Sequence, residues 1–205
     1  MPLKTTAGNH GEPAKGRGSP ANPEGRFEKW ARDAADDGWF QEAEEGEPRP
    51  KTVVAIERAK GIVSRNDSPD VGFTQSINPY RGCEHGCVYC YARPSHAYLG
   101  LSPGLDFETR LFAKTNAAEL LREELAKPSY RCSPIAIGVN TDAYQPIERE
   151  HRITRSILEV VREAKQPVFL ITKSALVERD IDILADMAKE RLAAVTLSVT
   201  TLDNE

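Results

Sequence analysis

Apolar positions in the second half of the chain follow two alternating rhythms. Residues 135–139 and 168–172 are short unbroken apolar runs, and residues 194–200 are rich in Val and Thr. Runs of this length and composition read as strands buried on both faces. Between them the spacing is helical. Leu120, Leu121 and Leu125 share one face over residues 116–126, with Asn116 and Glu119 in a capping-box relation and Pro128 beyond the end. Pro146 suits the first turn of a second helix, whose Ile153, Ile157, Val160, Val161 and Ala164 lie on one side and which stops before Pro167. Val177, Ile181, Leu184, Ala185 and Ala188 define a third helical face. Upstream, residues 73–78 read as extended chain closed by Pro79, whereas Val53, Val54, Ile56, Ile62 and Val63 form an apolar segment that fits strand or helix. Strand and helix thus alternate, which predicts an α/β fold with a parallel sheet and right-handed crossovers. The chain stops at Glu205 directly after a strand, with no helix to cover that edge, so the natural protein is expected to continue.

Residues 1–50 have a different character. They hold 7 of the 14 Gly and 6 of the 14 Pro, but only Leu3, Phe27 and Phe40 from the set Leu, Ile, Val and Phe. So little apolar surface cannot offset the entropy of ordering, which predicts a largely disordered or loosely docked extension ahead of a domain over 51–205. Trp30, Trp39 and Phe40 are exceptions: residues 25–41 suit either a short docking helix or a weakly packed surface turn. The acidic run over 42–47 reads as a solvated face, and no internal repeat is visible.

The 205 residues suffice for one domain with a sizeable core. Lys and Arg number 27 against 31 Asp and Glu, a net charge of −4, which excludes a long-range electrostatic trap for polyanions. No apolar run approaches the ~18 residues of a membrane span, and the first thirty residues lack a secretory apolar stretch, so the cytoplasm is the expected location.

Four cysteines are too few for a disulfide scaffold, yet Cys83, Cys87 and Cys90 fall within eight positions. They lie in Asn78-Pro79-Tyr80-Arg81-Gly82-Cys83-Glu84-His85-Gly86-Cys87-Val88-Tyr89-Cys90-Tyr91-Ala92-Arg93, with the spacing Cys-x3-Cys-x2-Cys. Gly82 and Gly86 permit the positive φ values that would fold such a loop back on itself. Three thiolates without an adjacent fourth ligand suit three irons of a 4Fe-4S cluster, leaving one iron open for chemistry. The alternative is a zinc site completed by His85 or His96, although structural zinc usually draws on two separated knuckles. Cys132 stands alone before a strand and reads as a buried small hydrophobe.

This loop resembles the signature of the radical S-adenosylmethionine (radical SAM) enzymes, Cys-x3-Cys-x-aromatic-Cys, with Tyr89 as the aromatic. Together with Asn140-Thr141-Asp142-Ala143-Tyr144-Gln145-Pro146 and Thr172-Lys173-Ser174, it is similar to the branch related to spore photoproduct lyase, often labelled DNA repair photolyases. The resemblance covers roughly residues 70–205 and implies a partial (β/α) barrel, with four of six strands present. It implies an enzyme that binds a 4Fe-4S cluster and S-adenosylmethionine, cleaves the latter reductively to a 5′-deoxyadenosyl radical, and performs lyase- or transferase-type chemistry. The implied electron donor is a flavodoxin- or ferredoxin-like protein. The substrate is open, with nucleic acid among the candidates. A non-catalytic iron-sulfur or zinc module, and an inactive fragment of the enzyme, are the competing readings.

By the same resemblance Cys83, Cys87 and Cys90 ligate iron and the Tyr89 segment lies against the adenine. The family's Gly-Gly-Glu-like motif after the second strand is replaced here by Asn140-Thr141-Asp142, so Asp142 becomes the substitute acceptor for the methionine amino group, with helix capping as its alternative role. Lys173 would meet the methionine carboxylate, with a solvated surface role as its alternative, and Ser198, ahead of Thr200 on the same strand, would meet the ribose. Arg81 and Arg93 would offset cluster charge, meet a phosphate, or lie on the surface, and His85 would support the loop. Spore photoproduct lyase uses a cysteine hydrogen donor near the end of its second strand, where residues 137–141 carry no thiol, so thymine-dimer reversal is not expected.

Overall fold

The apolar runs become strands in the structure, a computed structural model that describes residues 17–28 and 51–202. Trp30, Trp39, Phe40, His10 and the acidic run lie outside the described residues. In chain order the strands are β1 (Val53–Glu57), β2 (Val63–Arg65), β3 (Gln75–Ile77), β4 (Tyr80–Arg81), β5 (Arg110–Lys114), β6 (Ile135–Ile137), β7 (Val168–Thr172) and β8 (Ala193–Leu197). The helices are α1 (Asp106–Thr109), α2 (Ala117–Leu125), α3 (Glu148–His151), α4 (Ile153–Glu163) and α5 (Ile181–Lys189), with 3-10 turns at Arg93–Leu99 and Ala175–Asp180.

One sheet has the order β2-β3-β6-β7-β8, in which β3, β6, β7 and β8 are parallel and β2 is an antiparallel edge. This is the parallel α/β arrangement that the alternation predicts. Ile77, Ile135, Ile137 and Leu170 are fully buried between the sheet and the helices, where Leu121 of α2 and Ile157, Leu158 and Val161 of α4 join them. Each such side chain contributes about 1.5–3 kcal/mol by leaving water. Among the described residues no helix is long and apolar enough to cross a membrane.

Several local expectations need correction. The second helix is broken: Arg152 takes a left-handed conformation (φ 49°), and the buried Glu148 carboxylate accepts the Thr154 and Arg155 amides that open α4. Asn116 does not cap α2; its amide pairs instead with the backbone N–H and C=O of Ala59 at 3.0 and 2.9 Å. The buried face of α5 is Ile183, Leu184 and Met187, while Ile181, Ala185 and Ala188 are exposed, because the helix begins only at Ile181 after a 3-10 turn that shifts its phase. Cys132 is exposed in the loop before β6, not buried. A second sheet, β1-β5-β4, pairs β1 parallel with β5 and β4 antiparallel with β5, and gives the ambiguous segment at 53–57 its partner.

Residues 17–28, placed by composition in the extension, lie along the 102–108 segment. The Leu105 N–H donates to Ala21 O at 3.0 Å, Ser102 Oγ donates to Pro23 O at 2.6 Å, and Asn22 and Asp106 bond each other twice. The rings of Phe27 and Tyr98 stand 5.0 Å apart.

Candidate metal centre

The cysteine loop leaves β4 and is pinned at both ends. The Cys83 N–H donates to Phe107 O at 2.9 Å, and the Arg93 Nε donates to Cys87 O at 3.0 Å. Arg93 is not a surface residue: its guanidinium is paired at 2.5 Å with Glu108, whose side chain is fully buried. Glu108 also accepts the Gly18 N–H at 3.0 Å, so the 17–28 strap, the buried ion pair and the loop form one unit. Gly82 and Gly86 have φ values of 73° and 62°, the left-handed wrap that the sequence calls for.

The three motif segments grip one another. Asn78 Oδ1 accepts the Asn140 and Thr141 amides at 2.8 and 3.3 Å, and Thr141 Oγ1 donates to Tyr80 O at 2.9 Å. Buried Gln145 clamps the loop itself, accepting the Glu84 N–H at 3.0 Å and donating to Gly82 O at 3.1 Å. Sequence reasoning missed this role; the only signal was the presence of Gln145 in the second motif. Asp142 ties in the third segment, accepting from Tyr144 N, Thr172 Oγ1 and Lys173 N at 2.8, 2.7 and 3.0 Å.

These contacts bring Cys83, Cys87, Cys90, Asp142, Lys173 and Ser198 to the walls of one cleft of about 160 Å³. It opens at the C-terminal ends of β6, β7 and β8, the end at which parallel sheets gather ligands. Cys132 lies at the opposite end of β6, its Sγ 3.5 Å from Gln166 Oε1. Tyr89 stands outside the cleft, 67 % exposed; its ring lies 5.2 Å from Lys173 Nζ, and the aromatic on the cleft wall is Tyr91, whose hydroxyl bonds Val139 O. Ser198 follows β8, and its N–H donates to Thr172 O at 2.8 Å.

A lysine and a buried thiol set the electrostatics of the cleft. Lys173 Nζ lies 2.9 Å from Cys87 Sγ; burial alone would lower the lysine pKa, but the bonds to Cys87 and Tyr89 outweigh it and raise it. Burial pushes the Cys83 thiol up to about 12, so metal binding there must displace a proton. Burial also holds His85 below its ordinary value against the pull of Asp142. His85 Nε2 is buried without a hydrogen-bond partner, 3.4 Å from Asp142 Oδ2. Among the described residues no three His, Cys, Asp or Glu side chains close on a single point as a lone ion requires. The cysteines line a shared cleft instead. Three thiols on one cleft wall are a donor set that could hold three irons of a 4Fe-4S cluster, with the unpartnered His85 Nε2 and the Lys173 ammonium beside them.

The family model described as the Radical SAM superfamily matches residues 77–205. This chain belongs to the radical SAM superfamily. It is 40 % identical over 133 residues to uncharacterized proteins of Mycobacterium tuberculosis and Mycobacterium bovis, covering 65 % of this chain and 39 % of each relative. An uncharacterized protein of Methanocaldococcus jannaschii is 30 % identical over 131 residues, 64 % of this chain and 46 % of that one. The chain thus spans less than half the length of these relatives. No solved structure matches at the same stringency.

Proposed function

We propose that the chain carries the catalytic front half of a radical SAM enzyme related to the spore photoproduct lyase branch, with β3, β6, β7 and β8 as the first four strands of its barrel. The observation that carries this reading is the meeting of Cys83, Cys87 and Cys90 with Asp142, Lys173 and Ser198 in one cleft at the strand ends. Cys83, Cys87 and Cys90 hold the 4Fe-4S cluster. A reduced 4Fe-4S cluster held there would supply one electron to the sulfonium of S-adenosylmethionine, breaking its C5′–S bond to give methionine and a 5′-deoxyadenosyl radical for hydrogen-atom abstraction.

The chain's own residues bind and orient. Lys173 offers a point charge to the methionine carboxylate, and must exchange Cys87 for it as the thiolate turns to iron. Asp142 receives the methionine amino group while its backbone and Thr172 bonds hold it rigid. Ser198 reaches the ribose. Tyr91, on the wall, and Tyr89, outside the cleft beside Lys173, offer ring faces to the adenine. A flavodoxin- or ferredoxin-like protein delivers the electron, and the substrate enters over the same rim.

The test is anaerobic iron-sulfur reconstitution of the full-length protein, reduction, and measurement of 5′-deoxyadenosine from S-adenosylmethionine. Wild type is expected to form it and Cys87→Ala to form none. Stoichiometric zinc without sulfide in anaerobically isolated protein would refute the reading.

A further inference from the structure

A second cavity, of about 240 Å³, opens beside the cysteine cleft and shares Asn140 with it. Its walls include Ser64 of β2, Asn78 after β3, Arg81 of β4, Ser95 of the first 3-10 turn and Lys114 at the end of β5. No carboxylate lines it, and two cations do. Lys114 is half-buried, donates from Nζ to Asn78 O at 2.8 Å, and makes no ion pair among the described residues. Burial first, and the charge of Arg81 next, lower its pKa, with Glu57 offsetting only part. Arg81 sits at the rim, held by Glu57 through bonds of 2.8 and 3.0 Å. A half-buried cation without an ion pair, facing open space, suits an anion.

We propose that this cavity is an oxyanion subsite that receives a phosphate group of the substrate, with Lys114 and Arg81 as its charged donors and Ser64, Ser95, Asn78 and Asn140 on the remaining walls. Donors converging from several elements suit a tetrahedral group better than a planar carboxylate, which one arginine fork satisfies. The volume is below the ~300 Å³ at which pockets begin to enclose a whole drug-sized ligand, so the subsite holds one group while the rest of the substrate extends toward the cleft. Asn140 is the shared wall, and its backbone is fixed by Asn78. The assignment of that phosphate to a substrate rests on the radical SAM reading of the neighbouring cleft.

The experiment is calorimetric titration of the full chain with inorganic phosphate and with pyrophosphate, without S-adenosylmethionine. Saturable binding tighter than about 1 mM is expected. Lys114→Met should weaken it about tenfold or more, the loss of one charge-assisted hydrogen bond. Glu57→Gln should tighten it several-fold by freeing Arg81, a gain that misfolding cannot imitate. Cys87→Ala should bind phosphate as wild type does, so failure of the radical chemistry and failure of this subsite are separable. Absence of saturable binding, binding unchanged in both Lys114→Met and Glu57→Gln, or loss of binding in Cys87→Ala would each overturn the proposal. A mononucleotide and a short single-stranded oligonucleotide identify the source: equal affinity marks a small phosphorylated substrate, and tighter binding of the oligonucleotide marks a polymer backbone.

Discussion

Glu108→Gln is the sharpest test of how the cysteine loop is held. The Glu108 side chain is fully buried, Arg93 is only 11 % exposed, and their ion pair lies behind the loop that carries Cys87. Gln keeps the shape and one acceptor but removes the charge, leaving the guanidinium desolvated without a counter-ion. Breaking a buried pair from one side costs about 3–5 kcal/mol, and the retained acceptor puts this substitution near 3. That is a large share of the ~5–15 kcal/mol of a typical domain and corresponds to a fall in Tm of roughly 6–12 °C. Urea unfolding of Glu108→Gln, Arg93→Met and the double variant measures it. Because the cost lies in an unpaired charge, the double variant should be less destabilised than the sum of the two singles. The rate at which a chelator strips iron should rise in Glu108→Gln, since Arg93 also anchors Cys87 O. A loss below about 1 kcal/mol, within the range of a surface pair, or strict additivity in the double variant, would refute the reasoning.

Three further outcomes are expected. Gly18→Val should displace the strap, because a Cβ at Gly18 would lie 1.7 Å from the Gly86 carbonyl oxygen; faster proteolysis within 17–28 and faster iron loss are the readouts, and unchanged rates would count against the packing. Gln145→Ala leaves the Glu84 N–H and Gly82 O without their partner and should cost about 1–3 kcal/mol and lower the iron bound after reconstitution, whereas exposed Cys132→Ser should leave iron content as in wild type. Stability should fall as pH drops below about 6.5, the unperturbed histidine value. Burial depresses the folded pKa of His96, whose Nε2–H donates to Arg110 O at 2.9 Å, so the unfolded chain takes up the proton first and gains population as acid is added. His85 adds to the same slope, and His96→Gln should flatten it; an unchanged slope in urea melts at pH 7.5 and 5.5 would show that His96 is not the source.

Local pattern and covalent spacing settled more about this protein than any other feature of its chain. Ile157, Val160 and Val161 repeat at helical spacing and do face the core, and the apolar runs at 135–137 and 168–172 do form neighbouring parallel strands. Cys83, Cys87 and Cys90 fall at one cleft because their short loop is folded back on itself by the left-handed turns at Gly82 and Gly86, which the sequence shows as glycines. What the fold alone decided involves partners far apart in sequence. Arg17 reaches Glu108 O across 91 positions, Gln145 grips the loop across 61 and 63, and Asn116 abandons a helix cap for Ala59 across 57. Neither rhythm nor spacing encodes such pairings, because a polar side chain bonds whichever group is left unsatisfied within reach, and only packing determines what is within reach. The break at Arg152 is short-range in sequence yet also depends on packing, since Tyr80 and Arg179 hold the buried Glu148 carboxylate where it accepts the α4 amides.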